Sequence, residues 1–134
     1  MKISITSQYG LMAIGYIAMH HHDGNIMADT IAKEYNIPFA YLIKVLQYMV
    51  RKGILNSKRG PHGGFVLGRK PEKITLFEII EALDGPSSSI DLAEQTGIEL
   101  FAVRIDAICE KATAAQNKLL QATTLAELVR NSKK

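Results

Sequence analysis

The residues whose chemistry stands out form one short run, KRGPHGGF at positions 58–65. Two cations lead into three glycines and a proline, and an aromatic residue then restarts an apolar segment. Because glycine permits backbone conformations closed to other residues, this backbone can approach a partner closely. Lys58 and Arg59 supply positive charge where an anion would be met. The run is therefore predicted to be the tip of a hairpin with a basic flank.

The segments before this run are predicted to be helical. Apolar residues recur at helical spacing in three stretches, at about residues 6–20, 29–35 and 39–52. Thr6 or Ser7 is a candidate cap for the first helix, and Gly53 is a typical left-handed stop for the third. Residues 54–58 and 65–68 are predicted strands, so the basic run joins two strands of a hairpin.

The segments after the hairpin are predicted to be largely helical as well. Thr75 and Glu78 have the spacing of a capping box, in which each side chain bonds the other residue's backbone N–H. That box predicts a helix that runs to Gly85. Thr124 and Glu127 repeat the pattern at the start of a last short helix. Between these helices we predict a serine-containing connection, a short helical turn within it and a long helix, at about residues 86–97, 91–95 and 98–122.

Charge is unevenly distributed along the 134 residues, although the formal net charge is only +3. Residues 1–73 contain ten lysines and arginines against four acidic residues, whereas residues 74–134 contain six against nine. A basic N-terminal part and an acidic C-terminal part indicate one surface that faces a polyanion and another that faces a different partner.

The cysteine count and the apolar runs exclude several classes of protein. A single cysteine, Cys109, leaves no intrachain disulfide and no metal site built from several cysteines of one chain. No apolar run reaches the ~20 residues of a membrane span, and the first residues lead directly into a folded pattern. We therefore expect a cytoplasmic protein without a signal peptide. The sequence also lacks a nucleophile–base set and a phosphate-binding loop, so an enzyme is not expected.

Three helices followed by a glycine-rich hairpin are typical of a winged helix-turn-helix. In that fold the third helix enters the major groove of DNA, and the hairpin, or wing, touches the backbone or the minor groove. The face of the third helix that is turned away from its apolar stripe carries candidate DNA contacts, namely Phe39, Ala40, Ile43, Lys44 and Gln47. Each of these could equally be an ordinary exposed helix residue.

The candidate contacts differ in the DNA groups that they can recognise. Lys44 can reach guanine acceptors or a phosphate, and Gln47 can serve adenine or a phosphate. Ile43 has no hydrogen-bonding group and can only pack on a thymine methyl or a sugar. Lys58 and Arg59 suit phosphates, which fix position rather than specify sequence.

Several short motifs together resemble the IscR/NsrR/CymR-type family of bacterial transcription regulators. They are MKIS at 1–4, YGL at 9–11, IA at 31–32, Ile37, YL at 41–42, Leu46, RGPHGGF at 59–65, ITL at 74–76 and TLAEL at 124–128. The wing motif and the ITL helix start are specific to this family when found together. The resemblance implies a fold that is mainly α with a small β-hairpin, a winged helix-turn-helix plus a long C-terminal dimerisation helix.

The resemblance also implies site residues, on the third helix and on the Arg-Gly-Pro of the wing. The complete predicted DNA-binding set is Phe39, Ala40, Tyr41, Ile43, Lys44, Gln47, Lys58, Arg59, Gly60, Pro61, His62 and Gly63. Ile43 departs from the family pattern, because relatives with a known base-reading residue have a glutamate there. Gln8 departs as well, because a basic residue is frequent at its position.

The predicted sensor region differs from that of cluster-binding members of the family. Those members carry three closely spaced cysteines between the fifth helix and the long helix, often with a histidine, whereas residues 85–104 contain neither. Iron–sulfur clusters need thiolate ligands, so no cofactor is expected. Asp106 falls near the usual histidine position, but one carboxylate is no ligand set. Cys109 is either a buried small hydrophobic residue or a redox-sensing thiol.

Together these features predict a sequence-specific DNA-binding transcription regulator, a homodimeric repressor of palindromic promoter DNA without an iron–sulfur cluster. The expected domains are residues 1–85 for DNA binding, 86–97 as a linker or sensor loop, and 98–134 for the dimerisation helix and the C-terminal short helix. The expected partners are double-stranded promoter DNA, a second copy and an unknown small-molecule or protein effector, with no membrane. The alternatives are an interaction module that acts through a bound enzyme or partner, and a thiol-based redox sensor that uses Cys109.

Overall fold

The computed structural model of the protein describes residues 1–61, 63–86, 91–97, 99–130 and 132. His62 and the three serines of the predicted connection lie outside these described residues. The helices are α1 (Ile5–Met19), α2 (Ala28–Tyr35), α3 (Phe39–Arg51), α4 (Leu76–Asp84), α5 (Leu92–Thr96), α6 (Leu100–Ala122) and α7 (Leu125–Val129), and the antiparallel strands are β1 (Leu55–Lys58) and β2 (Gly64–Leu67). The expected class, mainly α with a small β-hairpin, is confirmed.

Helix α1 is the centre of the core, because apolar residues occupy most of its circumference. Ala13, Ile14 and Ile17 are fully buried, and α1 contacts α2, α3, α4 and α7. Gly10 lets α4 approach closely, since a Cβ atom at this position would overlap the side chain of Leu83. The other helices are therefore arranged around α1.

The N-terminus of α1 is capped by Ser4, so the prediction of Thr6 or Ser7 as the cap is wrong. The Ser4 hydroxyl accepts a hydrogen bond from the backbone N–H of Ser7 at 3.1 Å, and it donates to the Asp84 carboxylate at the end of α4. This second partner, 80 positions away, selects Ser4 and ties α1 to α4. Thr6 instead hydrogen-bonds the hydroxyl of Tyr41 on α3.

Helices α2 and α3 form the helix-turn-helix. The turn between them contains Asn36 in the left-handed conformation, with φ of 53°, and Ile37, which is buried. The predicted apolar stripe of α3 is confirmed, and its buried residues are Leu42, Val45, Leu46 and Met49. Burial of this stripe turns the opposite side of α3 toward solvent.

Strands β1 and β2 pair along their whole length, and Lys58 lies opposite Gly64 at the end of the hairpin. At the tip, the backbone N–H of Gly63 donates to the carbonyl of Gly60 at 2.9 Å. Gly60 has a φ of +105°, a conformation that favours glycine. The basic run is therefore the tip of a hairpin, as predicted.

A short antiparallel pairing joins the start of α4 to the end of α6. The Leu76 N–H donates to the Thr123 carbonyl at 2.9 Å, and the Leu125 N–H donates to the Ile74 carbonyl at 2.8 Å. Ile74 is fully buried and Leu125 is 3% exposed, so this pairing belongs to the core. Thr124 caps α7 as predicted, and α7 returns to pack against α1.

The predicted capping box at the start of α4 is present. The Thr75 hydroxyl accepts from the Glu78 N–H at 3.1 Å, and the Glu78 carboxylate accepts from the Thr75 N–H at 2.9 Å. The same carboxylate pairs with Nη1 of Arg69 at 3.0 Å, and that nitrogen also donates to the Lys73 carbonyl at 3.1 Å. Because Arg69 follows closely after β2, the ion pair links the base of the wing to α4.

Helix α6 has 23 residues and buries only Ala102 and Leu120. Large apolar side chains are exposed along its length, namely Leu100, Phe101, Val103, Ile108 and Leu119, at 40% to 72%. The α6 helix thus carries an apolar surface that its own chain does not cover. In the part of the chain that the structure describes, no helix is long and apolar enough to cross a membrane.

The acid stability of the protein tests the ion pair at α4. Burial of Glu78 raises the pKa of its carboxyl, but hydrogen bonds from Thr75 and Arg69 outweigh that effect and hold this pKa below its usual 4.5. The carboxyl therefore stabilises the fold fully above about pH 4.5, and this contribution is lost as the pH falls through the lowered pKa. We expect Glu78→Gln to lower the free energy of unfolding at neutral pH by under about 1 kcal/mol and to flatten its decline in acid.

Urea unfolding at a series of pH values from neutral to strongly acidic measures this effect. Glu81→Gln is the matched control, because Glu81 is an exposed carboxylate on the same helix. The control should keep the wild-type decline in acid. An equally steep decline in Glu78→Gln would contradict the stabilising role of the ion pair.

Candidate nucleic-acid interface

The solvent-facing side of α3 carries most of the predicted recognition residues. Phe39 is 50% exposed, and Ala40, Lys44 and Gln47 are exposed as well. Ile43 differs from the prediction, because its side chain is half-buried and packs against the core. It lies at the border of the buried stripe, so only part of it can face a groove.

Tyr41 is held in place at the same surface. Its ring meets the ring of Tyr9 edge-on, with ring centroids 5.5 Å apart. Its hydroxyl is hydrogen-bonded to the hydroxyl of Thr6, in the first turn of α1. These contacts fix the beginning of α3 against α1.

The wing presents cations at its tip. The exposed residues there are Lys58, Arg59, Gly60 and Pro61, while Gly63 is half-buried. The ion pairs between described residues involve neither Lys58 nor Arg59. Cations without an acidic partner keep their charge available for a phosphate.

Two further side chains on α3, those of Tyr48 and Arg51, are absent from the predicted DNA-binding set. The guanidinium carbon of Arg51 lies 5.4 Å from the centre of the Tyr48 ring. Lys44 lies one turn before Tyr48 on the same edge of the helix. The spacing of four and then three residues is a sequence signal for a shared helix edge. The contact between ring and cation depends on side-chain geometry, which spacing alone does not provide.

In the predicted sensor region, the carboxylate of Asp106 binds two backbone N–H groups at the start of α5. Its Oδ1 accepts from Leu92 and its Oδ2 accepts from Ala93, both at 2.9 Å. The carboxylate of Asp91 caps the same helix by accepting from the N–H of Glu94 at 3.0 Å. Asp106 therefore ties α5 to α6 through direct hydrogen bonds.

Cys109 is half-buried in the single chain, so both interpretations of this residue stay predictions. It lines a cavity of about 730 Å³ together with Met1, Asp91, Asp106 and Glu110. Three carboxylates give this cavity a negative lining.

A helix-turn-helix followed by a basic hairpin is the architecture of a winged-helix DNA-binding regulator. Residues 3–131 match the sequence profile of the Rrf2 family, described as an iron-dependent transcriptional regulator. The chain therefore belongs to the Rrf2 family, which confirms the predicted resemblance. Its relatives are transcriptional regulators and not enzymes.

Individual relatives support the same assignment. The transcriptional regulator CymR of Bacillus subtilis is 36% identical over 94 residues, which cover 70% of this chain and 68% of CymR. A protein of Aquifex aeolicus classed as an HTH-type transcriptional regulator is 40% identical over 81 residues, which cover 60% of this chain and 56% of that protein. The solved structure of CymR, described as the global cysteine regulator of B. subtilis, matches with a TM-score of 0.84 and 32% identity over 97% of both chains. The likeness to CymR thus extends along the chain.

The iron in the family description can be tested against the residues of this chain. An iron–sulfur cluster is held mainly by several thiolates, and the sequence contains one cysteine. Asp91 and Asp106 already accept backbone hydrogen bonds, and the described residues include no group of three side chains that could hold a metal ion. The residues present do not fit an iron–sulfur cluster held within one chain.

Removal of the Asp106 carboxylate tests its hold on α5. In Asp106→Ala, we expect the amide hydrogens of Leu92 and Ala93 to exchange at least about tenfold faster, because charge-assisted hydrogen bonds contribute roughly 1.5–3 kcal/mol. Hydrogen–deuterium exchange followed by NMR measures the two amides directly. Glu110→Ala removes a charge from the same cavity without removing these bonds, so it should leave their exchange unchanged. Equal exchange in the two variants would show that Asp106 does not hold α5.

Proposed function

We propose that the protein is a homodimeric, sequence-specific repressor that binds palindromic promoter DNA. The observation that carries this proposal is an open recognition-helix face combined with a wing whose cations pair with no described acidic side chain. Phosphates require cations, and base edges require directed side chains, and this surface offers both. A dimer bound across a promoter would exclude other proteins from that DNA.

The recognition helix and the wing have different roles in this proposal. Lys58 and Arg59 bind phosphates, while Gly60 and its neighbours let the wing backbone lie close to the groove. Lys44 and Gln47 contact base edges or phosphates in the major groove. Of the residues in these two groups, Lys44 and Gln47 are the ones on the exposed face of α3, and both have hydrogen-bonding groups suited to bases.

A second copy of the chain is proposed to cover the apolar surface of α6. Exposed Phe101, Ile108 and Leu119 leave apolar area in water, and burial of such area stabilises association by about 25 cal/mol per Å². In this arrangement residues 1–85 bind DNA, residues 86–97 form the connection that receives a signal, and residues 98–134 join the protomers. Two-fold symmetry then requires two related half-sites in the DNA.

The signal is proposed to act where α5 contacts α6. A change at this contact would tilt α6 and alter the separation of the two recognition helices. Only a matched separation lets both helices enter successive major grooves, so DNA affinity would respond to the signal. Redox sensing by Cys109 and action through a bound protein partner stay predictions.

Loss of a wing cation tests the DNA-binding role. We expect Arg59→Ala to weaken binding and to reduce the slope of log affinity against log salt concentration by about one, because one phosphate contact is lost. The probe is the duplex that the wild-type protein selects from a randomised library, and binding is measured by fluorescence anisotropy at several salt concentrations. The thermal midpoint of unfolding should stay at the wild-type value.

Arg130→Ala is the charge-matched control for Arg59→Ala, because Arg130 is an exposed cation at the end of α7. It should retain the wild-type salt slope. Equal affinity and slope in Arg59→Ala and the wild type would exclude the wing from the interface. Selection of no sequence by the wild-type protein would refute specific recognition altogether.

Introduction of a charge on α6 tests the proposed dimer. Ile108 is 64% exposed in the single chain, so Ile108→Asp should preserve the fold but place a charge in the dimer interface. We expect the variant to be a monomer at micromolar concentration by analytical ultracentrifugation, with a weakened affinity for the selected duplex. Met27→Asp is the control, because Met27 is a 53% exposed apolar residue outside α6. Retention of the wild-type mass by Ile108→Asp would place the interface elsewhere.

A further inference from the structure

A cavity of about 430 Å³ opens on one edge of α3, where that helix meets α1 and α4. Val45, which is 4% exposed, and half-buried Leu83 supply its apolar lining. Among the described residues, the lining includes no acidic side chain. The cavity beside Cys109 is lined by three carboxylates instead. The cavity on α3 is therefore suited to a negatively charged group.

Three side chains on the rim of this cavity share one edge of α3. Tyr48 follows Lys44 by four residues and precedes Arg51 by three, a spacing that makes neighbours on a helix surface. The Arg51 guanidinium carbon lies 5.4 Å from the centre of the Tyr48 ring, which restrains the guanidinium and leaves N–H donors free for an oxygen acceptor. The ion pairs between described residues include neither Lys44 nor Arg51.

The first turn of α1 adds positive potential to the same cavity. Thr6 lies in that turn and lines the cavity, and the N-terminus of a 15-residue helix carries a partial positive charge. The hydrogen bond between Thr6 and Tyr41 fixes this turn against α3. The cations of α3 and the end of α1 thus face one space from two sides.

We propose that Thr6, Lys44, Tyr48 and Arg51 form a clamp for a backbone phosphate on the DNA strand that borders the recognised major groove. This inference rests on the proposed function and adds a phosphate contact outside the wing. Lys44 and Arg51 are separated by about 10 Å along the axis of α3, and Tyr48 lies between them on the same edge. In the proposed complex the phosphate lies between these two cations, at the cavity that their side chains line.

The positive side chains of the clamp come from α3, and Gln8 in α1 adds none. Gln8 bonds the carbonyl of Ile3 at 2.9 Å through its amide, and it brings no positive charge to the N-terminal turn of α1. Arg51 supplies a planar fork of donors that matches two phosphate oxygens. In this proposal the charged contacts to the phosphate therefore come from α3.

A comparison of two adjacent cations tests the clamp. Lys52 is a matched control for Arg51, because its ammonium also lies 5.4 Å from the Tyr48 ring centre but Lys52 does not line the cavity. With the duplex selected by the wild-type protein, Arg51→Ala should lower affinity about tenfold and reduce the salt slope by about one. Lys52→Ala should change both clearly less. Equal effects of the two substitutions would overturn the clamp.

Single methylphosphonate substitutions in the selected duplex locate the phosphate, because each replaces one charge by a neutral group. One methylphosphonate substitution should weaken binding by the wild-type protein and should weaken binding by Arg59→Ala equally, because this phosphate does not contact the wing. In Arg51→Ala this particular loss should vanish, while losses at the phosphates of the wing persist. Arg51→Lys keeps the charge without the fork, so it should retain the wild-type slope with reduced affinity.

The outcomes separate this inference from the proposed function. The same methylphosphonate profile in Arg51→Ala and the wild type would overturn the clamp, while selection of a sequence by the wild type would still support specific DNA binding. Failure of the wild-type protein to select any sequence would overturn the proposed function itself. Tyr48→Phe removes only a hydroxyl. If the methylphosphonate at the same phosphate weakens binding less in this variant than in the wild type, Tyr48 contacts that phosphate directly.

Discussion

The pairing of residues 74–76 with residues 123–125 is the interaction on which the arrangement of the chain depends. Helix α6 buries only Ala102 and Leu120 against its own chain, so its side chains alone hold it weakly. The two backbone hydrogen bonds at its end lie beside buried Ile74 and Leu125. Breaking them would leave polar groups unpaired in the core, which is costly. The end of the long helix α6 is therefore fixed to the start of α4.

The wing is fixed to the same body from two sides. The ion pair of Arg69 with Glu78 joins its base to α4, and Ile26 and Phe65 exchange backbone hydrogen bonds at 3.0 and 2.8 Å. The second contact connects β2 to the segment that precedes α2. Wing and helix-turn-helix are thus joined as one unit, and in the proposed function a tilt of α6 would move this unit as a whole. That behaviour suits the proposed control of DNA affinity by helix separation.

Local sequence patterns predicted the elements well, because their causes lie within a few residues. Helical periodicity, the Thr75 capping box and the glycines of the wing placed the predicted boundaries within about two residues of those observed. The predicted cap of α1 was wrong because the actual cap, Ser4, is selected by its hydrogen bond to Asp84, which is 80 residues away. The half-burial of Ile43 and the hydrogen bonds of Asp106 likewise depend on packing between elements, which periodicity does not encode.

The composition of the α3 surface has a consequence for how DNA would be recognised. Ile43 is half-buried and has no hydrogen-bonding group, and Phe39 and Ala40 offer apolar contact only. Few side chains on this face can therefore read base edges, whereas cations occur on both the helix and the wing. Phosphate contacts fix position without reading sequence. In the proposed complex, phosphate contacts at the wing and along α3, where Lys44 belongs to the clamp, would fix the register, so that the directed contact of Gln47 could discriminate bases.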